Sequence, residues 1–145
     1  MYDCTLAKRI VVKVGTSTLT HENGKANLRR MEELCKVLSD LRNSGKEMIL
    51  VTSGAIGMGV GKLGLKARPT QTQMKQAVAA VGQCELMFMY DKLFGEYGST
   101  VAQILLTGDV ISNPISRGTV ETTFEALLDM GIIPVVNEND TVAVD

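Results

Sequence analysis

The alternation of short apolar runs with longer helical patterns constrains the fold of this chain most strongly. Apolar, mostly β-branched runs predict four buried strands, over residues 9–14, 48–51, 101–106 and 132–136. Apolar residues at three- and four-residue spacing predict three helices, over residues 28–41, 72–94 and 119–130. Strands that alternate with helices pair in parallel through right-handed crossovers, and helices then cover both faces of the sheet. The predicted fold class is therefore α/β, a three-layer sandwich with a mainly parallel sheet.

Capping and breaking residues set the limits of several elements. Asn27 can cap the first helix, and Gly45 stands where that helix should stop. Pro134 cannot donate a hydrogen bond to a ladder, so we expect the fourth strand at an edge of the sheet. The chain ends at Asp145, shortly after that strand and without a closing helix. A doubly wound sheet normally continues there, so we interpret residues 1–145 as the incomplete N-terminal part of a larger domain.

Composition and charge exclude several classes of function. Apolar residues make up 45% of the 145 residues, which is enough for a sizeable core. The net charge of −1 lacks the basic excess of a nucleic-acid-binding protein. No apolar run approaches the roughly 20 residues that span a bilayer, so no membrane contact is expected, and the start of the chain carries no secretory signal. Cys4, Cys35 and Cys84 are odd in number and widely spaced, which argues against disulfides and a zinc site and predicts a cytoplasmic protein.

Small hydroxyl, amide, glycine and acidic residues follow every predicted strand. In open α/β sheets, ligands bind at the carboxyl ends of the strands, where these residues would lie. The four segments are residues 13–18, 52–55, 107–109 and 137–140. Ser, Asn and Asp also favour ordinary turns, and that explanation suffices for any single strand end. The four ends together favour a common ligand cleft.

Lys13 interrupts the β-branched run of the first strand just before its loop. Burying an unpaired ammonium is costly, so this side chain must reach water, a carboxylate or a bound anion. The simpler alternative is a lysine on an edge strand whose amine reaches solvent. Gly15 exposes backbone N–H groups two residues later, which favours an anion site at this loop.

Ser53 and Gly54 follow the second strand without a gap. Glycine lets the main chain approach a ligand, and a helix that begins here would direct its N–H groups at negative charge. An ordinary strand-to-helix turn explains this segment equally well.

The sequence does not contain the common nucleotide-binding motifs or a serine-nucleophile motif in the required form. The GxGxxG match at residues 59–64 begins well beyond the strand, and Leu63 stands where a Walker A loop needs Ser or Thr. Val51 occupies the place of the first glycine of GxSxG. The only histidine, His21, lies in a polar loop, so a serine triad cannot be built and we predict no metal-ligating residues. A carboxylate that attacks a phosphoryl group is already ionised at neutral pH and needs no general base. A chain with a single histidine is therefore suited to phosphoryl transfer to a carboxylic acid.

Five segments carry a resemblance to a known family. They are KVGTS at residues 13–17, VTSGAI at 51–56, AAVGQ at 79–83, QILLT at 103–107 and NEND at 137–140. In this order and spacing they resemble the successive motifs of the glutamate 5-kinases (γ-glutamyl kinases) of the amino-acid kinase family. Related amino-acid kinases share the glycine loops but not this set.

The resemblance implies an amino-acid kinase fold and a known reaction. In that reaction the γ-phosphoryl group of ATP passes, with Mg²⁺, to the side-chain carboxylate of L-glutamate, as the first step of proline biosynthesis. By position, Lys13, Gly15 and Thr16 would contact the ATP phosphates. Lys13 would also be the catalytic residue that stabilises the transferring group.

The resemblance also implies where glutamate binds. The matching positions are Ser53, Gly54, Asn137 and Asp140. An acidic side chain such as Asp140 suits the α-ammonium of the substrate. In the family a second lysine, further substrate-binding residues and the adenine pocket lie downstream, so residues 1–145 would form the acceptor-binding part without the nucleotide-binding remainder.

Residues 112–123 depart from the Arg- and Asn-rich pattern of the family before the fourth strand. In the family this region is associated with proline feedback and subunit contacts. The resemblance as a whole implies a homo-oligomer with proline as a feedback inhibitor, whereas the departure at residues 112–123 counts against the proline regulation.

Three alternatives stay open. The first is another amino-acid kinase, for acetylglutamate or isopentenyl phosphate, whose acceptors lack the free ammonium that Asp140 would bind. The second is a non-catalytic amino-acid sensor that keeps the glutamate cleft. The third is the kinase part of a bifunctional proline-synthesis enzyme with a fused reductase.

Overall fold

The computed structural model describes residues 3–143 and contains a four-stranded, all-parallel sheet. The strands are β1 (Arg9–Val14), β2 (Glu47–Thr52), β3 (Val101–Leu106) and β4 (Ile133–Glu138). Their spatial order is β1–β2–β4–β3, so β1 and β3 are the edges. Each strand lies within two residues of its predicted limits, which confirms the α/β class.

The helices follow the strands in alternation. Within residues 3–143 they are α1 (Thr16–Leu19), α2 (Leu28–Asn43), α3 (Ala55–Leu63), α4 (Thr72–Glu96), α5 (Gly108–Ser112) and α6 (Pro114–Asp129). A short 3₁₀ turn, Cys4–Leu6, precedes β1. None of the helices described between residues 3 and 143 is both long and apolar enough to cross a membrane.

The helix limits follow from capping residues. The side chain of Asn27 accepts a hydrogen bond from the backbone N–H of Arg30 at 3.3 Å, as the sequence predicts for the start of α2. The last helix begins at Pro114 instead of residue 119. Asn113 fixes that start, because its side chain accepts hydrogen bonds from the two N–H groups that follow the proline, and proline suits the first helical position.

The main core lies between the sheet and the layer formed by α2 and α4. Alternate residues of β2 are buried on this face, and the hydroxyl of Thr52 lies 2.8 Å from that of Tyr90 in α4. The other large members of this core include Leu19, Met31, Leu38, Met48, Leu50, Leu86, Phe94 and Ile133. Burying an aliphatic or aromatic side chain of this size contributes about 1.5–3 kcal/mol, so this face dominates the stability.

Helix α6 lies on the opposite face of the sheet. The guanidinium of Arg9 in β1 donates to both carboxylate oxygens of Glu125 in α6, at 3.0 and 3.1 Å, and also binds Glu47 in β2 at 2.7 Å. Helices on both faces confirm the three-layer arrangement. Val11, which shares this face with Arg9, is 58% exposed, so α6 covers the face only in part.

Pro134 lies in a central strand, so the expectation of an edge position is wrong. The N–H of Ile133 donates to the carbonyl of Thr100 on the β3 side at 2.9 Å. Successive residues alternate in the direction of their N–H groups, so the nitrogen of Pro134 faces β2. The registered pairs between β2 and β4 begin only at Leu50 and Val135, so the missing donor interrupts no ladder hydrogen bond.

Glycines allow α3 to pack closely against α4. A Cβ atom on Gly82 of α4 would overlap the carbonyl oxygen of Ala55, the first residue of α3. A Cβ atom on Gly59 of α3 would overlap the carbonyl oxygen of Val78 in α4. This close contact fixes the position at which α3 begins, directly after β2.

Candidate active site

The parallel sheet places all four polar strand ends at one edge. The residues that directly follow the strands are Gly15 after β1, Ser53 after β2, Thr107 after β3 and Asn139 after β4. The predicted segments therefore lie on the same side of the molecule, at the carboxyl edge where α/β sheets bind ligands.

Thr16 and Ser53 meet where the loops after β1 and β2 adjoin. Their hydroxyl oxygens lie 3.3 Å apart, and the hydroxyl of Ser53 also donates to the carbonyl of Val14 at 3.3 Å. Both residues are only partly buried, so a ligand can reach their hydroxyls. The structure thus brings together one residue expected at the nucleotide phosphates and one expected at the acceptor.

Gly54 forms the turn into α3. Its φ of 101° is left-handed, a conformation that favours glycine and that side chains with a Cβ adopt only under strain. The first N–H groups of the nine-residue helix α3 follow at once. These groups lack partners within the helix and attract negative charge. The local geometry is that of a turn that can hold a phosphate or a carboxylate.

Lys13 is exposed on the opposite face of β1 from buried Val14. It is registered beside Val51 of β2, and within residues 3–143 it forms no hydrogen bond or ion pair. The ammonium therefore reaches solvent, one of the outcomes that the sequence allows. Because β1 is an edge strand, an anion can approach this amine from outside the sheet.

Asn137, at the end of β4, is buried within a chain of amides. Its Nδ2 donates to Oε1 of Gln83 at 3.0 Å, and Nε2 of Gln83 donates to Oε1 of Gln103 at 3.0 Å. The Oδ1 of Asn137 accepts from the N–H of Glu138 at 2.9 Å. No role was predicted for Gln83 or Gln103, although they belong to the AAVGQ and QILLT motifs. The structure shows that they hold Asn137 in one orientation.

Asp140 lies in the loop after β4, partly buried. The N–H of Asn139 donates to the carbonyl of Leu106 at 2.8 Å, which ties this loop to the end of β3. Burial raises the pKa of Asp140, and the negative charge of Glu138 raises it further. A carboxylate in this environment is stabilised by a cation, and an ammonium group of a ligand would supply one.

The raised pKa of Asp140 predicts a gain in stability for Asp140→Asn. A carboxyl whose pKa is raised on folding destabilises the folded state once the pH exceeds that pKa, and has no effect where both states are protonated. We expect the variant to have a larger free energy of unfolding than the wild type at about pH 7, and the gain to shrink towards about pH 4. Urea unfolding across this range measures it. The control is Asp129→Asn, at an exposed position, and the same pH dependence in both variants would contradict the explanation.

A cavity that the sequence did not predict adjoins Thr16. Its volume is about 560 Å³, and it lies between α1, the loop that follows α1, α3 and the loop that joins α3 to α4. Its lining residues are Thr16, Ser17, Thr20, His21, Glu22, Gly24, Gly57, Val60 and Arg68. The sequence does not predict this cavity, because two helices and two loops form it only after folding.

Metal-binding side chains do not cluster in the described part of the chain. Among residues 3–143 no group of three His, Cys, Asp or Glu side chains is placed to hold a metal ion.

The fold and the glycine-rich carboxyl edge define a class of protein. The family model described as "Amino acid kinase family" matches residues 8–145. The chain therefore belongs to the amino acid kinase family.

Proteins named glutamate 5-kinase are similar to almost the whole of this chain. The one from Clostridium perfringens is 60% identical over 139 residues, which cover 96% of this chain and 52% of the relative. The one from Listeria innocua is 63% identical, with coverage of 96% and 50%. The one from Enterococcus faecalis is 59% identical, with coverage of 96% and 51%. The chain spans about half the length of these curated relatives.

Proposed function

We propose that the protein to which this chain belongs transfers the γ-phosphoryl group of ATP to the side-chain carboxylate of L-glutamate. The product would be γ-glutamyl phosphate, formed in the first step of proline biosynthesis. The observation that carries the proposal is 59–64% identity to proteins named glutamate 5-kinase over 96% of this chain. The carboxyl edge supports it with hydroxyls, a glycine turn, a free lysine and a partly buried carboxylate.

The groups on this edge have distinct roles in the proposed reaction. Lys13, with the loop of Gly15 and Thr16, binds the phosphates and stabilises the negative charge on the transferring group. Gly54 and the first N–H groups of α3 hold oxygens of the reacting carboxylate or phosphate. The carboxylate is ionised at neutral pH, so no general base is required, and catalysis depends on position and charge stabilisation.

Ser53, Asn137 and Asp140 hold the acceptor in this proposal. The hydroxyl of Ser53 donates to the reacting carboxylate, and the carboxylate of Asp140 accepts from the α-ammonium. Asn137 contributes an oriented amide through its contact with Gln83. Mg²⁺ would neutralise phosphate charge. We assign it no ligands in residues 3–143, and the nucleotide phosphates would hold it.

Product identification tests this proposal and separates it from its rivals. The full-length protein is incubated with ATP, Mg²⁺ and one acceptor, and acyl phosphate is trapped with hydroxylamine. With L-glutamate we expect both ADP and a hydroxamate. With N-acetylglutamate we expect neither product in significant amount. With isopentenyl phosphate we expect no ADP. Equal or faster reaction with another acceptor would refute the glutamate specificity. Glutamate binding without ADP release would instead support the amino-acid sensor.

The proposed enzyme is cytoplasmic and inhibited by its pathway's end product. Cys84 is an exposed free thiol and Cys35 a buried one, which suits a reducing compartment. Proline as a feedback inhibitor follows from the family resemblance.

We also propose that the protein is a homo-oligomer, because α4 has an exposed apolar seam. The seam consists of Met74, Ala77, Val81, Cys84 and Phe88, which recur at three- and four-residue spacing and are all exposed. Such spacing suits helix–helix contact. A twofold axis near Val81 would place Met74 of one copy against Phe88 of the other, as a self-complementary interface requires.

The seam predicts the effect of Phe88→Glu on assembly. Phe88 is 59% exposed, so the exchange should leave the fold intact but place a charge in the interface. We expect the mass in solution to fall to a smaller assembly or monomer, measured by sedimentation or light scattering. Val37→Glu, at an apolar position of α2 that is 52% exposed, is the matched control. An unchanged mass for Phe88→Glu, or an equal change in the control, would contradict the seam.

A further inference from the structure

A chain of hydroxyl groups joins the core to the turn that begins α3. The phenol oxygen of Tyr90 in α4 lies 2.8 Å from the hydroxyl of Thr52, the last residue of β2, and both side chains are buried. The hydroxyl of Thr52 in turn donates to the carbonyl of Ser53 at 3.1 Å. The proposed reaction assigns no role to Tyr90 or Thr52.

The direction of both hydrogen bonds follows from the number of protons. A threonine hydroxyl has a single proton, and that of Thr52 is directed at the carbonyl of Ser53. Thr52 must therefore accept a hydrogen bond from Tyr90. Burial raises the pKa of Tyr90, so the phenol is protonated at neutral pH and can donate. The hydroxyl chain thus runs from Tyr90 through Thr52 to the carbonyl of Ser53.

The direction of the Ser53 carbonyl determines the direction of the next N–H group. The peptide between Ser53 and Gly54 is trans, so its C=O and N–H point in opposite directions. Because the carbonyl is held towards Thr52, the N–H of Gly54 points away from Thr52. Within residues 3–143 this N–H donates to no protein group. Gly54 lies beside Thr16, whose Oγ1 would be 3.8 Å from a Cβ atom on Gly54.

The absence of a side chain on Gly54 makes the orientation of this peptide easy to lose. Glycine populates positive and negative φ about equally, so the peptide before it can turn over at little cost. A reversed peptide would present the carbonyl oxygen of Ser53 to the ligand in place of the N–H of Gly54, and that oxygen repels an anion. One ordinary hydrogen bond on the carbonyl is enough to favour the observed orientation.

We propose that Tyr90 is a positioning residue for the active site. Through Thr52 it fixes the peptide between Ser53 and Gly54, so that the N–H of Gly54 donates to an oxygen of the reacting carboxylate or phosphoryl group. This inference rests on the proposed function and adds to it two core residues that touch no ligand. The hydroxyl chain couples the packing of α4 to the geometry of the turn before α3.

Kinetics of the full-length protein test the hydroxyl chain. The quantity measured is kcat/KM for L-glutamate at saturating ATP, because this ratio reports the binding of the transition state. Tyr90→Phe and Thr52→Val each remove one hydroxyl, whereas Thr52→Ser keeps it. Ser39→Ala is the matched control. The hydroxyl of Ser39 accepts from that of Ser99 at 2.9 Å in a second buried pair, which lies just before the amino end of β3.

We expect Tyr90→Phe to lower kcat/KM by about 3- to 10-fold and Thr52→Val by about 10-fold, the scale of one lost hydrogen bond. Thr52→Ser should retain most of the wild-type value. Ser39→Ala should lower the free energy of unfolding, measured in urea, and leave kcat/KM unchanged. An unchanged kcat/KM in Tyr90→Phe, or an equal fall in Ser39→Ala, would overturn the proposal.

The double variant Tyr90→Phe/Thr52→Val separates positioning from folding. Thr52→Val alone leaves the buried phenol without a partner, whereas the double variant removes both partners and should recover part of the lost free energy of unfolding. Its kcat/KM should stay as low as that of Thr52→Val, because nothing holds the carbonyl of Ser53. Recovery of kcat/KM together with stability would mean that the hydroxyls act on folding alone, and would overturn the proposal.

Failure of this proposal and failure of the proposed function give different results. Crystal structures of the wild type and Thr52→Val show the orientation of the peptide without any reaction. A reversed peptide in Thr52→Val, with no hydroxamate formed by the wild type in the trapping assay, would support the hydroxyl chain and refute the kinase activity. Hydroxamate formation by the wild type, with an unchanged peptide in Thr52→Val, would support the kinase and refute the role of Tyr90.

Discussion

We expect Lys13→Ala to lower the kcat of the full-length protein for glutamate by about 10²- to 10³-fold, the usual cost of removing one charge-stabilising donor. The side chain is exposed and within residues 3–143 makes no ion pair, so its loss should not disturb the fold. The effect should fall on kcat with little change in the KM for glutamate, because the amine acts on the transferring phosphoryl group. Steady-state ADP release measures both constants.

Two further variants sharpen this experiment. Lys8→Ala removes an exposed lysine just before the other end of the same strand and should leave kcat unchanged. Lys13→Arg keeps the positive charge and should recover part of the lost rate. A Lys13→Ala variant with wild-type kcat would contradict the placement of the phosphates at the loop after β1.

The second large effect is expected for Gly82→Ala. A Cβ atom on Gly82 would overlap the carbonyl of Ala55 and lie 2.6 Å from the nitrogen of Gly59, and both neighbours are backbone atoms that no rotamer change can move. Helices α3 and α4 would have to separate, which we expect to cost about 3 kcal/mol or more, at the upper end of overpacking effects. Chemical denaturation measures the loss of stability.

A matched substitution isolates the cause. Gly95 lies near the end of the same helix, and a Cβ atom there would meet nothing within 4 Å. Gly95→Ala should therefore raise stability by about 0.5–1 kcal/mol through helix propensity alone. If Gly82→Ala and Gly95→Ala lowered the free energy of unfolding by similar amounts, the close approach of α3 and α4 would not explain the loss of stability. A Cβ atom on Gly82 would also displace Ala55, which directly follows the proposed acceptor-binding residue Gly54. Any Gly82→Ala protein that folds should therefore bind glutamate more weakly.

The strands could be predicted because their signals are local. The runs at residues 9–14 and 101–106 match β1 and β3 in full, since apolar content and bounding polar residues suffice to mark a buried strand. The start of α6 was missed although Asn113 and Pro114 form a recognisable cap. The place of Pro134 could not be predicted, because it depends on where the neighbouring ladder begins.

The candidate site also has a part that the sequence predicts and a part that it does not. The polar ends of the four strands could be assigned to one edge from the parallel topology alone, and the contact between Thr16 and Ser53 agrees with that assignment. The amide chain through Gln83 was not predictable, because it joins a helix to two strands distant in sequence. The cavity beside Thr16 was not predictable either, because its lining residues come from separate parts of the chain that meet only in the folded structure.

A crystal structure of the full-length protein with L-glutamate bound tests the proposed acceptor site most directly. We predict density for glutamate at the carboxyl edge, against Ser53, Gly54 and Asp140. Density elsewhere would contradict the site, for example in the cavity of about 390 Å³ beside Lys36, Asp40 and Tyr97, near the amino ends of the strands.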